Sequence, residues 1–469
     1  MNIPSYFSPP EGIENITVFT ILFTITYFLV YEIYKLAIIF RDLMSRLGLI
    51  LFLITILVAC NEEQYLGRVH ITQENGRFTL IRNGEPFYIR GANGTVQLGE
   101  LSRIGGNTIR TYDTLDLENI LNDAHANGLA VIVGLPMIRS YHYNTYYAND
   151  SLVRHQYEAF RNTIRKYRDH PALLMWCLGN ELNFSFGPKY RHFYDALNDM
   201  IDMVHSEDPD HPVTTTIQSF GEKYVANIKW YAPDFDVISI NTFSKLRSLQ
   251  EDLSVYEWFW DGPYILTEWG VNGHWESDST RWGVPIEEPS GKKAEFIAEL
   301  YSEYIQPENK RCLGSLAFYW GSRQEKTDTW YPLITDEGEE TQMVDVLEEL
   351  WTGRSPENHA PQVNYLHVNK KSPRDNALLI SGHKYAAEVN VADQDGDSLR
   401  YHWYVYAENW FKPTFDSEKP VVPIISSISG APVFEFRAPA LTGAYRLAVK
   451  VNDGHKKFGT ANVPFYVVN

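Results

Sequence analysis

Cysteine is scarce in this chain, three in 469 residues, and cations are outnumbered, 41 Lys and Arg against 59 Asp and Glu. Three thiols cannot build a disulfide framework, so apolar burial has to hold the fold. A formal charge of −18 argues against nucleic acid as a partner and leaves room for a neutral polymer. No CxxC, HExxH, phosphate-binding glycine loop or dinucleotide glycine pattern occurs, so neither a cofactor nor a metal is expected. The acidic run Asp393-Gln394-Asp395-Gly396-Asp397 suggests calcium, but an EF-hand loop would need glycine and glutamate where the chain has Ser398 and Tyr404. It reads more simply as a turn between two strands.

What the chain does have is two apolar runs that end in carboxylates. Ala172-Leu173-Leu174-Met175-Trp176-Cys177-Leu178-Gly179 leads into Asn180-Glu181, and Tyr264-Ile265-Leu266-Thr267 leads into Glu268-Trp269-Gly270. A lone glutamate at such a place reads as an ion-paired core residue. Two together suggest glycoside hydrolysis, in which one carboxylic acid protonates the leaving oxygen and one carboxylate meets the anomeric carbon, roughly 5 Å apart in retaining enzymes.

Eight short segments rich in β-branched or aromatic residues lie near 86–91, 107–112, 128–134, 172–178, 212–217, 235–240, 263–268 and 313–319. Between them run helical patterns such as Leu117 to Ala126, Val153 to Tyr167, Tyr190 to His205 and Lys292 to Tyr304. Strands alternating with helices predict a parallel sheet, and eight repeats close a (β/α)8 TIM barrel whose strands all end at one face. Glu181 and Glu268 would meet there. The polar stretch 353–362 reads as a linker, and period-two runs over 363–469 predict an immunoglobulin-like β-sandwich. Cys177 and Cys312 fall beside or within barrel strands and are expected to be buried thiols. Aromatic loops, with Tyr141, His142, Tyr143, Tyr146 and Tyr147 and later Trp258, Trp260, Trp275, Trp282 and Trp330, are candidate sugar platforms.

From Gly76-Arg77-Phe78 to Leu350-Trp351-Thr352-Gly353 the chain resembles clan A glycoside hydrolases, close to the family 2 catalytic barrel. The resemblance implies a retaining β-glycosidase with Glu181 as acid/base and Glu268 as nucleophile. It also implies that Arg110, in Gly106-Asn107-Thr108-Ile109-Arg110, bonds the nucleophile, that Asn180 binds the sugar 2-hydroxyl, and that Trp320 forms a platform under the ring. The chain departs from the clan after the sixth strand. Members commonly place a tyrosine there against the nucleophile, whereas Asp236-Val237-Ile238-Ser239-Ile240-Asn241-Thr242 leads to Phe243, so Tyr319 or His274 would have to supply the bond.

A lone barrel followed by an immunoglobulin-like module resembles bacterial endo-β-1,3-glucanases, so a β-1,3-glucan cleaved internally is the expected substrate. The rivals are an exo-acting mannosidase- or galactosidase-type enzyme, a transglycosylase, and a non-catalytic surface glycan-binding lipoprotein. Arg46, the apolar run from Leu47 and Leu57-Val58-Ala59-Cys60 resemble a lipoprotein signal, which implies a bacterial envelope protein membrane-anchored at Cys60. The signal would span 44–59 and the barrel domain 60–352. Residues 1–43 are expected to be an over-extended start, or else a transmembrane segment through the apolar stretch Ile16 to Phe40.

Overall fold

The computed structural model describes residues 35–36, 67–138, 140–305, 309–408 and 422–469. The chain divides into Met1–Tyr65 and Leu66–Asn469, and the fold below is that of the second unit. Cys60 and the signal expected at 44–59 lie outside the described residues, as does all of 1–43 except Lys35 and Leu36.

Eight parallel strands close a barrel: β1 Ile89–Asn93, β2 Thr108–Arg110, β3 Ala130–Leu135, β4 Leu173–Leu178, β5 Val213–Gln218, β6 Val237–Asn241, β7 Tyr264–Trp269 and β8 Cys312–Ala317. Each is followed by a helix: α1 Leu98–Arg103, α2 Leu117–Ala126, α3 Asp150–Tyr167, α4 Arg191–Glu207, α5 Glu222–Tyr231, α6 Leu249–Val255, α7 Ser290–Tyr304 and α8 Gln342–Thr352. Local chemistry sets the helix ends. Asn149 caps α3 by accepting from the backbone N–H groups of Ser151 at 3.1 Å and Leu152 at 3.3 Å, and α3 buries Gln156, Phe160 and Ile164 at four-residue spacing. Gly353 ends α8 in the left-handed conformation, φ 69°, where a side chain would be strained.

The barrel interior is layered. Ile89, Ala130, Ile132, Leu174, Met175, Val237, Ile265 and Leu313 form one apolar cluster with Val69 and Leu80 of the N-terminal hairpin, Val69–Glu74 and Arg77–Arg82. Farther along the strands the buried residues turn polar: Asn93, Arg110, Thr216, Asn241, Thr267 and Glu268. Apolar burial therefore holds the lower barrel, and buried polar groups, which must find partners, fill the C-terminal mouth. Cys177 and Cys312 are buried free thiols.

The described residues between 362 and 468 form two antiparallel-based layers. Strands β9 Gln362–Val368, β11 Lys384–Ala392 and β14 Val433–Arg437 make the first; β12 Arg400–Ala407, β13 Ile425–Ser429, β15 Gly443–Asn452 and β16 Lys457–Val468 make the second, with β10 Ala377–Ile380 paired to β16. Trp403 stacks on Phe434 at 5.4 Å between them. Strand β16 is buried from Lys457 to Phe465 without alternation, because one face meets the sandwich core and the other meets the barrel. Glu340–Thr341, between β8 and α8, joins this second layer by pairing with Lys457 and Phe458.

The stretch expected as a linker, 353–362, is held by hydrogen bonds on both sides. The Ala360 N–H donates to Asp345 at 2.7 Å, Asn358 donates to Asp453 at 2.7 Å, and the His359 N–H donates to Asp395 at 2.6 Å. Polar and proline-rich composition marks turns, not mobility. The acidic turn is tied into this contact and internally braced, the Asp397 N–H donating to Asp393 at 2.8 Å. Among the described residues no group of three or more His, Cys, Asp or Glu is placed to hold a metal ion, and no helix is long and apolar enough to cross a membrane.

Candidate active site

Strand direction delivers the functional side chains. Arg110 ends β2, Asn241 ends β6 and Glu268 is the penultimate residue of β7. Glu181 lies three residues past β4, in a turn where Gly179 has φ 74° and Glu181 itself φ 51°. A non-glycine residue in that region is strained by roughly 1 kcal/mol. The turn leaves Asn180 and Glu181 exposed at the mouth, whereas Glu268 is only 6% exposed.

The two carboxylates are linked through three shared side chains. Arg110 Nη1 donates to Glu268 Oε1 at 3.1 Å, and its Nη2 donates to Asn180 Oδ1 at 2.8 Å and Thr216 Oγ1 at 3.0 Å. Asn241 Nδ2 donates to Asn180 Oδ1 at 3.2 Å and Glu181 Oε1 at 3.1 Å, while its own Oδ1 accepts from Thr267 at 3.0 Å. With Oδ1 of Asn180 already accepting twice, its amide N–H groups are left to donate to a ligand. Burial pushes the Glu268 carboxyl up to about 7; the Arg110 charge opposes this, and the negative charge of Glu181 adds to it.

The phenol bonded to Glu268 is Tyr112, whose Oη donates to Oε1 at 2.8 Å. This corrects the expectation that Tyr319 or His274 would do so. Tyr319 lies beneath the Arg323 guanidinium, 5.3 Å from the ring centroid, and His274 pairs with Glu325 at 3.4 Å. Phe243 packs edge-on against Phe318 at 5.8 Å and Trp275 at 5.9 Å. The signal for Tyr112 was its spacing: two residues past Arg110, it falls on the same side of the chain if strand alternation is carried past the strand end. Thr216, Asn241 and Thr267 carry no such signal, since nothing in a lone Thr or Asn distinguishes a mouth residue from an ordinary core one.

Trp320 needs a second correction. It is fully buried, its indole N–H donating to the Val96 carbonyl at 2.9 Å, so it offers no face to a sugar. The ring open to solvent nearby is Trp275, 55% exposed and set edge-on to His274 at 4.9 Å. Tyr141 is 68% exposed, but Tyr143 is buried against Phe193 at 4.1 Å, and Trp330 is buried with its indole N–H on the Asn272 carbonyl at 3.0 Å. Trp258 and Trp260 sit between α6 and β7, where the chain enters a strand, at the end of the barrel away from the carboxylates.

Residues 107–282 match the family model for the glycosyl hydrolases family 2, TIM barrel domain. The β-glucuronidase of Felis catus is 26% identical over 225 residues, 41% of this chain and 32% of that protein. The β-glucuronidase of Sus scrofa is 23% identical over 326 residues, 64% of this chain and 44% of that protein. The chain thus spans less than half the length of these curated relatives. Among solved structures, Bacteroides uniformis β-glucuronidase aligns with TM-score 0.47 and 12% identity over 85% of this chain and 48% of that one. Arg110, Tyr112, Asn180, Glu181, Asn241 and Glu268 all fall within a barrel segment similar to the family 2 glycosyl hydrolase TIM barrel domain.

Proposed function

We propose that the protein is a retaining β-glycoside hydrolase. The observation that carries this reading is the unequal carboxylate pair: Glu268 buried and held by donors, Glu181 exposed at the mouth, and the two linked through Arg110, Asn180 and Asn241. Glu268 attacks the anomeric carbon while Glu181 protonates the departing oxygen; Glu181 then takes a proton from the water that releases the sugar. Asn180 donates to the sugar 2-hydroxyl. The test is chemical rescue. Glu181→Ala should keep turnover on aryl glycosides with good leaving groups and gain rate with azide, giving a β-glycosyl azide, whereas Glu268→Gly should give the α-azide. Azides of the opposite stereochemistry would exchange the two roles.

For the substrate we favour internal cleavage of a β-1,3-linked glucan, supported by the exposed rings of Trp275 and Tyr141 on loops that follow barrel strands. A second reading, an exo-acting β-glucuronidase, is supported by the names of the relatives and by Arg323, a cation whose charge reaches Glu268. Laminarin and 4-nitrophenyl β-D-glucuronide separate them: early oligosaccharide ladders from the first favour the glucanase, and rapid nitrophenol release with no laminarin cleavage favours the uronidase. The Leu57-Val58-Ala59-Cys60 sequence supports a lipid anchor at the bacterial outer membrane. Cys60→Ala should move the protein out of the membrane fraction.

A further inference from the structure

Glu268 Oε1 receives two donors, Arg110 Nη1 at 3.1 Å and Tyr112 Oη at 2.8 Å. Two donors occupy the lone pairs of one oxygen and fix the carboxylate plane. The Tyr112 ring is itself held, with the Arg110 guanidinium 4.7 Å from its centroid. Burial, and next the negative charge of Glu268, keep the Tyr112 phenol far above its ordinary titration range, so it remains a donor at every working pH. At the end of β6, Phe243 has no hydroxyl to offer, and its ring is fixed against other rings.

We infer that Tyr112 is a positioning residue for the nucleophile of this barrel: its hydroxyl holds Oε1 of Glu268, directs Oε2 to the anomeric carbon, and stabilises the carboxylate charge that returns when the glycosyl-enzyme breaks down. The inference rests on the glycosidase reading above. In the first step a lone pair of Oε2 forms the bond to the anomeric carbon, the glycosidic C–O bond breaks, and the leaving oxygen takes its pair and the proton of Glu181. In the second, water oxygen bonds to that carbon, its proton passes to Glu181, and the C–Oε2 pair returns to Glu268. Charge on Oε1 falls in the first step and rises in the second. A donor fixed on Oε1 therefore keeps the nucleophile ionised beforehand and lowers the barrier to its release afterwards.

The experiment compares wild type with Tyr112→Phe, which removes the hydroxyl and keeps the ring beside Arg110. The probes are 2,4-dinitrophenyl and 4-nitrophenyl β-D-glucosides and β-D-glucuronides, with the matching 2-deoxy-2-fluoro glycosides as covalent labels. Expected are a kcat about 100-fold lower on the dinitrophenyl substrate, a KM that falls with it as glycosyl-enzyme accumulates, and an acid limb of kcat/KM moved up by about one pH unit. A residue that only supports the fold would move none of these, because Phe fills the same space, and equal thermal midpoints would exclude unfolding as the cause. If the label lands on Glu268 and Tyr112→Phe keeps the wild-type kcat, KM and pH profile, the role of Tyr112 is refuted and the glycosidase reading stands. If laminarin and every probe go uncleaved and none labels Glu268, both fall together.

Discussion

Two buried glutamates in this molecule each face a cation at short range, yet their carboxyl groups are shifted in opposite directions. Glu268, at the barrel mouth, is pushed up to about 7: burial raises it, and the Arg110 charge does not overcome burial and the nearby Glu181. Glu287, where the barrel meets the sandwich, is 2% exposed and held below the ordinary carboxylate range: burial is the largest single influence and raises it too, but the Lys293 charge, the hydrogen bonds from Lys293 and Thr327 and the Arg446 charge together outweigh burial. The count of donors explains the difference. Glu287 accepts from Lys293 at 2.5 Å, Thr327 at 2.6 Å, Thr329 at 2.9 Å and Asn462 at 2.6 Å, spread over both oxygens. Glu268 has Arg110 and Tyr112, both on Oε1, and a second carboxylate within electrostatic reach. A buried charge saturated with donors is structural, whereas one left short of them keeps an oxygen for chemistry.

The widest separation should come from deleting each charge. Glu268→Gln is expected to lower kcat/KM by more than about 10⁴-fold with the fold intact. Glu287→Gln should leave kcat/KM within about tenfold and cost about 3 kcal/mol of stability, because Lys293 then stays buried without its counter-charge. Steady-state rates and guanidinium unfolding on the same preparations check both. Equal losses of activity would erase the distinction.

The shifts also give the two groups opposite pH signatures. Glu287 is depressed in the fold, so its stabilisation is present above the ordinary carboxylate value and lost as pH falls through the folded one. Unfolding midpoints of wild type and Glu287→Gln should therefore converge in acid. Glu268 is raised, so its contribution is present below about 4.5 and lost as pH rises through about 7. The proposed mechanism requires the ionised form of Glu268, so kcat/KM should have an acid limb near 7 and fall to about a tenth of its plateau at pH 6. A limb near 4.5 would show that Arg110 and Tyr112 overcome burial after all.

This contrast also marks what sequence can convey. All eight barrel strands were legible because each is a short β-rich run between helical patterns, and the expected and observed bounds of α2 coincide at Leu117 and Ala126. Glu181 and Glu268 were legible because strand ends in a barrel share a face, whereas Arg110 and Asn180 were legible only through the resemblance to the family 2 barrel. Trp320 was misplaced because an aromatic residue after a strand can turn either way, and only the Val96 carbonyl decides that its indole turns inward. The bond from Tyr112 to Glu268 spans 156 positions, and the Lys293 and Asn462 bonds to Glu287 come from different domains. No local pattern encodes a donor count assembled across the chain.

The finest version of the comparison removes one hydroxyl from each site. Thr327 is fully buried and donates to Glu287 Oε2 at 2.6 Å. Thr327→Val keeps the shape and deletes the bond, leaving Lys293, Thr329 and Asn462 on the carboxylate. A hydrogen bond to a charged group contributes about 2 kcal/mol, and three remaining partners should limit the loss to that or less. The two carboxylates at the barrel mouth are untouched, so kcat and the acid limb should match wild type within error. The same deletion in Tyr112→Phe leaves Glu268 only the Arg110 bond on Oε1, and there the effect should appear in the rate and its pH profile with little change in stability. Guanidinium unfolding and pH–rate profiles of the two variants, measured together, decide the matter. A Thr327→Val enzyme that loses activity without losing stability would mean that the junction transmits to the mouth, and that donor count alone does not separate the structural carboxylate from the reactive one.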